Sequence, residues 1–167
     1  MDQSRDQLLS RVTGLGDAEY LWEPAPNCWT VRPGDDGFLA DFPDDDPDPS
    51  PLTTIAWRLW HIAVDCMDSY SVRAFGTSGT GLSGVAFVGT ARQAVSLAEA
   101  GLANFRSGLA DRGDEGVGEA LGDEWGPYRD HTIYDLGLHA HRELTHHAAE
   151  IGTLRDLYYW TQTASLP

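Results

Sequence analysis

An all-α fold, a single four-helix bundle, is what this sequence predicts. Four segments carry apolar residues at helical spacing. No segment shows the strict alternation of a half-buried strand, and the breaks between segments are rich in Gly, Pro, Ser and Asp. The length of 167 residues suits one domain, 1–167, with its own core and no internal repeat.

The elements follow in order. Leu8, Val12 and Leu15 have helical spacing in residues 1–16, and Gly14 and Gly16 stop the pattern. Residues 22–51 form a long loop between the first and second helices, because prolines at this density forbid a continuous helix or an inner strand. Its acidic run, Asp41 to Pro49, reads as a solvated loop, with a cation site as the lesser option. Ser50-Pro51 reads as the cap and first turn of a helix that runs from Leu52 to Phe75 and ends at Gly76. Thr77–Gly84 reads as a turn. Thr90 caps a third helix through Leu109, carrying Val95, Leu97, Leu102, Phe105 and Leu109; Gly101 weakens it by about 1 kcal/mol relative to Ala. After a Gly-rich, charged stretch at 111–130, a last helix runs from Thr132 to Tyr159.

Charge and composition exclude several functions. Lys plus Arg is 11 and Asp plus Glu is 26, a net charge of −15. Nucleic-acid and anionic-lipid surfaces both demand clustered cations, so neither is an expected partner. No apolar run approaches the length of a membrane span, and the first residues lack the apolar centre of a signal peptide, so the expected location is the cytoplasm. Cys28 and Cys66 are too few and too far apart for a disulfide scaffold or a Cys-rich zinc site, and they read as unreactive thiols. No Gly-rich phosphate loop supports nucleotide binding.

Histidine placement carries the functional signal. Five of the six histidines lie at 131–147, on or just before the last helix, and His61 stands in the middle of the second. Positions 136, 140, 144, 147, 151, 154 and 158 form an apolar stripe that includes His147, and Glu143, four residues earlier, borders it. A carboxylate and an imidazole at the edge of a buried stripe are costly unless paired, and a metal is one efficient partner. Catalytic metal sites use about three protein ligands. His61, among Trp57, Leu59, Ile62 and Val64, supplies the third from a facing helix. The bland alternative is a Glu and a His hydrogen-bonded in the core.

The segments Leu138–Tyr158, Thr53–Ile62, Trp29–Pro33 and Trp125–Tyr128 resemble the DinB-like superfamily, in consistent order over roughly residues 5–160. The resemblance implies a four-helix bundle with a divalent metal at one end, often in a homodimer. Many members carry three histidine ligands. The mycothiol-dependent maleylpyruvate isomerase branch uses a His, a Glu and a His, matching His61, Glu143 and His147; His139 and His146 are the substitutes. Zinc is the first expectation for the metal, with nickel or iron as alternatives. The family also implies transfer or isomerisation with a low-molecular-weight thiol of the mycothiol or bacillithiol type, the metal lowering the thiol pKa. A non-enzymatic metal-binding stress protein and a metal-dependent hydrolase are the competing functions.

Around the three ligands, Trp57, Asp65, His139 and Glu150 are candidates to line the pocket or orient the ligands. Trp29 and Trp125 are loop residues that could form a lid. Arg142 and Arg155 could grip a substrate carboxylate, although a place on the helix surface is the commoner role. Glu150 has a salt bridge with Arg155 as its bland alternative. His131 and His141 read as surface residues. No catalytic residue is assigned.

Overall fold

The computed structural model describes residues 1–35, 37–42, 47–79 and 86–164. Four long helical segments dominate. Helix α1 (Asp2–Val12) buries Ser4, Leu8 and Val12 against the last helix and stops before Gly14, whose φ of 72° needs glycine. Contacts distant in sequence fix this pairing: Ser4 Oγ lies 3.0 Å from Thr145 Oγ1, and Arg11 donates to Gly152 O at 2.6 Å and to Asp156 at 2.9 Å. A single turn, α2 (Asp17–Tyr20), places the fully buried Tyr20, whose hydroxyl donates to Val88 O at 2.7 Å.

The long loop contains strands that the sequence reading did not expect. β1 (Val31–Gly34), β2 (Gly37–Ala40) and β3 (Ala86–Phe87) form an antiparallel sheet in the order β1-β2-β3, with Val31 opposite Ala40 and Phe38 opposite Phe87. Strands of four, four and two residues are too short for alternation to show. Pro33 is confined to an edge strand, where its missing N–H costs no ladder bond. The acidic residues Asp44–Asp46 and the turn residues 80–84 lie outside the described residues.

The second helix starts later than predicted. Trp29 N donates to Leu52 O and Thr54 N donates to Trp29 O, so residues 52–54 run extended beside Trp29. Thr54, not Ser50, caps the helix: its Oγ1 accepts from the Trp57 N–H at 3.2 Å. From there α3 (Ile55–Trp60) passes without a break into a π-helical stretch (His61–Asp68) and then α4 (Ser69–Phe75), closed by Gly76 at φ 65° as predicted. The wider turn of a π stretch is rare and frequent at functional sites. Here it begins at His61.

Helix α5 (Ala91–Gly116) starts at the predicted Thr90 cap and packs on the π stretch, with a backbone break at Gly113. Its buried stripe is Ala91, Ala94, Ala98, Gly101, Leu102 and Phe105, whereas Leu97, one of the apolar residues that marked the helix in the sequence, is 43% exposed. Small residues let the two backbones approach closely. A Cβ at Gly101 would lie 3.1 Å from Ala63 O. A 3-10 turn (Asp123–Tyr128) buries Trp125 and leads to α6 (Ile133–Ala164). The predicted α6 stripe is inward from Leu136 to Ile151, and Leu154 and Tyr158 are half-buried. Among the described residues no helix is long and apolar enough to cross a membrane.

Candidate metal centre

The π stretch and the middle of α6 face each other across the core, and their polar residues meet there. His61, Glu143 and His147 each present one ligand atom, and the three atoms lie within 4.8 Å of one another. His147 Nε2 is 3.1 Å from Glu143 Oε2, and His61 Nε2 is 3.6 Å from the same oxygen. A tetrahedral ion with ligand bonds of about 2.0–2.1 Å holds its ligands about 3.3 Å apart, so this spacing suits one.

The groups behind the three residues set their protons. His147 Nδ1 lies 2.6 Å from Glu150 Oε2 and its Nε2 lies 3.1 Å from Glu143 Oε2; with the proton on Nδ1, donated to Glu150, the neutral ring offers its Nε2 lone pair to an ion. Asp65 Oδ2 stands 2.7 Å from His61 Nδ1, an ion-pair distance without hydrogen-bond alignment. Carboxylates behind the far nitrogens of ligating histidines are the usual means of fixing ring orientation. Arg58 holds Glu150 in turn, Nε to Oε2 at 2.8 Å. Arg142 donates from Nε and Nη2 to Glu143 Oε1, which leaves Oε2 for the cluster. Trp57, fixed by its indole N–H donating to Asp41 O at 2.7 Å, stacks on His61 with ring centroids 5.3 Å apart.

The electrostatics follow from these partners. Burial disfavours a charge on His61, but the Asp65 carboxylate and the Cys66 sulfur outweigh it and raise the pKa to about 10. Burial lowers the pKa of His147, assisted by the charges of His61 and Arg58, against the pull of Glu150. Burial pushes Glu143 up, but Arg142, His139 and His147 together bring it down to about 2. Glu150 also lies below its ordinary value, since His147 and Arg58 outweigh its burial.

The structure places Asp65, Glu150 and Trp57 against the three residues. Two expectations are corrected. Glu150 pairs with Arg58 and not with Arg155, which instead grips Glu19 and the carbonyls of Arg11 and Thr13, well away from the cluster. Cys66 is not isolated from histidine: its Sγ lies 3.5 Å from His61 Nε2, and it is buried. Sequence distance hid this, because residues five apart come together only where the helix widens to π geometry. Cys28 is buried against Ala25 O, as expected of an inert thiol.

His139 and His146 do not enter the cluster. His146 is exposed, stacks behind His147 and reaches Glu150 at 3.3 Å. His139 Nδ1 accepts from Arg142 at 2.8 Å, because a guanidinium can only donate. The neutral ring therefore carries its proton on Nε2 and donates to Tyr70 O at 3.0 Å. Burial holds His139 below the usual histidine pKa. His139 also walls a cavity of about 790 Å³, together with Tyr70, Trp125, Tyr128 and Arg142. Trp125 thus lines a pocket, while Trp29 packs on Trp57. His131, read as a surface residue, is exposed but reaches the same cavity, and His141 is half-buried. Tyr70, which reads from the sequence as core more than pocket lining, and Arg73 both stand on α4 beyond the π stretch and line the same cavity as His139.

Neither the curated proteins nor the solved structures contain a match to this sequence. A family model described as the DinB superfamily matches residues 1–151, which span α1 through the cluster on α6. With that match over most of its length, the chain belongs to the DinB superfamily.

Proposed function

We propose that the protein is a single-domain, four-helix-bundle metalloprotein that binds one divalent ion through His61, Glu143 and His147 and uses a low-molecular-weight thiol in a transfer or isomerisation reaction. One observation supports metal binding above the rest. His61, Glu143 and His147 come from two facing helical segments and bring three ligand atoms within 4.8 Å of one another, with Glu143 Oε2 3.1 Å from His147 Nε2 and 3.6 Å from His61 Nε2, the spacing of ligands around one ion. Two nitrogens and a carboxylate oxygen suit zinc, and also iron or nickel.

The ion would supply Lewis acidity and lower the pKa of a bound thiol. The chain supplies the rest. Asp65 and Glu150 hold the two imidazoles in place, Arg142 holds Glu143, and Trp57 covers the face of His61. Glu143 acts as a charged ligand, not as a base, because a carboxyl with a pKa near 2 is a poor proton acceptor at neutral pH. Family membership supports fold more strongly than reaction. The thiol reading rests on the likeness to the His-Glu-His branch and on the cavity beside His139.

A second reading, metal binding without turnover, draws on the burial of the cluster: His147 is only 5% exposed. Elemental mass spectrometry on untagged protein kept from nickel resin tests the shared premise. One zinc, iron or nickel per chain, lost in His147→Ala, is the expected result; no metal after each ion is offered overturns both readings. Thiol binding to the loaded protein, measured by calorimetry, then favours transfer, and its absence favours binding without turnover.

A further inference from the structure

Arg73 is the feature of this molecule that the metal site leaves unused. The chain has 26 acidic residues and no lysine, and most of its arginines lie within 4 Å of a carboxylate. Among the described residues Arg73 has no such partner. One N–H donates to Glu124 O at 2.8 Å, and the guanidinium lies 3.8 Å from the centre of the Trp125 ring. Both contacts leave guanidinium donors free, and both fix the plane of the group.

This arginine walls the 790 Å³ cavity that also contains Tyr70, Trp125, Leu136 and His139. That volume falls in the range of small-molecule sites. Aromatic and aliphatic walls favour a flat apolar body, and a guanidinium without an acid favours a carboxylate. Of the other charged groups at the cavity, Arg142 is committed to Glu143 and His139, and Asp135 is committed to capping α6 through Thr132. Arg73 is therefore the cation left to meet a ligand.

We infer that this cavity binds an aromatic or similarly flat carboxylate, with the carboxylate on Arg73 and the body against the wall that Tyr70, Trp125 and Leu136 form together. The site deepens the transfer reading, on which its role as the seat of the acceptor rests; the binding itself needs no metal. His139 links the two places, since it walls the cavity and its Nδ1 lies 3.7 Å from Glu143 Oε1.

Titration calorimetry with naphthalene-2-carboxylate and naphthalene-2-carboxamide as probes tests the inference. The acid should bind about tenfold more tightly than the amide, the scale of one charge-assisted contact. Arg73→Gln should bring acid and amide to equal affinity without weakening the amide, and Arg73→Lys should keep part of the preference. Equal affinities in the wild type, an unchanged preference in Arg73→Gln, or no binding of either probe at millimolar concentration each overturn it. Loss of the preference in Arg142→Gln, with Arg73→Gln unaffected, overturns the assignment to Arg73. His147→Ala separates the two hypotheses. Probe binding retained there, with no metal bound to the wild type, leaves the cavity site standing and removes the transfer reading. Probe binding lost there overturns a metal-independent site.

Discussion

Nε2 of His147 and Oε2 of Glu143 face each other at 3.1 Å, a hydrogen bond when the ring carries its proton on Nε2 and a pair of acceptors when the proton sits on Nδ1. The shorter contact, 2.6 Å from Nδ1 to Glu150 Oε2, favours the proton on Nδ1, and the pKa of the Glu143 carboxyl is held down to about 2. The nearest proton that could relieve the pair belongs to His61, whose Nε2 is 3.6 Å from the same carboxylate oxygen. In the absence of an ion, a cationic His61 thus stands in for the metal.

Metal and proton should therefore compete for His61. With its pKa raised to about 10, His61 holds a proton at neutral pH that a metal must displace, while Glu143 and His147 are already deprotonated. Zinc affinity should climb about tenfold per pH unit below pH 10, with about one proton released per ion. Calorimetry in two buffers of different ionisation enthalpy reads the proton count. Asp65→Asn removes the carboxylate that holds the proton and should shrink the release at pH 8. Affinity that does not change with pH would contradict the assignment of His61 as a ligand.

Glu150 should matter to the metal without touching it. Glu150→Gln weakens the acceptor behind His147 Nδ1 and the ion pair to Arg58. The expected loss of zinc affinity is about 10–100-fold, the usual scale for groups that orient a ligating histidine. Competition against a chromophoric chelator gives the number. Far-ultraviolet circular dichroism should be unchanged, and an unchanged affinity would leave Glu150 as a surface acid.

The metal-free protein should have a stability maximum set by the same residues. The folded pKa of His61 is above its unfolded value of about 6.5, so its contribution is full below that pH and is lost as pH rises toward about 10. Glu143 is the reverse case: its folded pKa is depressed to about 2, so its contribution is full above about 4.5 and is lost as pH falls to about 2. Denaturant melts across pH should show both limbs. Glu143→Gln should flatten the acid limb and His61→Gln the alkaline one; limbs that survive both substitutions would place the titrating groups elsewhere.

The sequence makes the main helices and the three clustered residues legible for one reason: they depend on periodicity. His147 falls on a stripe that is buried from Leu136 to Ile151, and a four-residue step puts Glu143 beside it. Features that periodicity does not encode stayed hidden. The strands are too short to alternate, and the start of α3 depends on a pairing with Trp29, which is distant in sequence. The alanine face of α5 carries little hydrophobic signal, although it decides how closely that helix packs. The π stretch leaves no local mark in sequence, yet it brings Cys66 to His61.

Gly101 and Gly137 should respond in opposite ways to the same added methyl. Both are interior to long helices, where Ala is favoured over Gly by about 1 kcal/mol. At Gly137 the new Cβ meets only Leu109 side-chain atoms at 3.5 Å, an ordinary contact, so Gly137→Ala should stabilise by about that amount. At Gly101 it would stand 3.1 Å from Ala63 O and 3.2 Å from Met67 Cβ, and a backbone oxygen cannot rotate away. Overpacking of this kind costs about 1–3 kcal/mol, which exceeds the propensity gain, so Gly101→Ala should destabilise by about 1 kcal/mol in urea melts. Ala63 and Met67 belong to the π stretch that begins at His61. To accept the methyl, α5 and that stretch must separate, which carries His61 away from Glu143 and should lower zinc affinity in Gly101→Ala while Gly137→Ala leaves it unchanged. Equal behaviour of the two variants would mean that the close approach of α5 does not position the cluster.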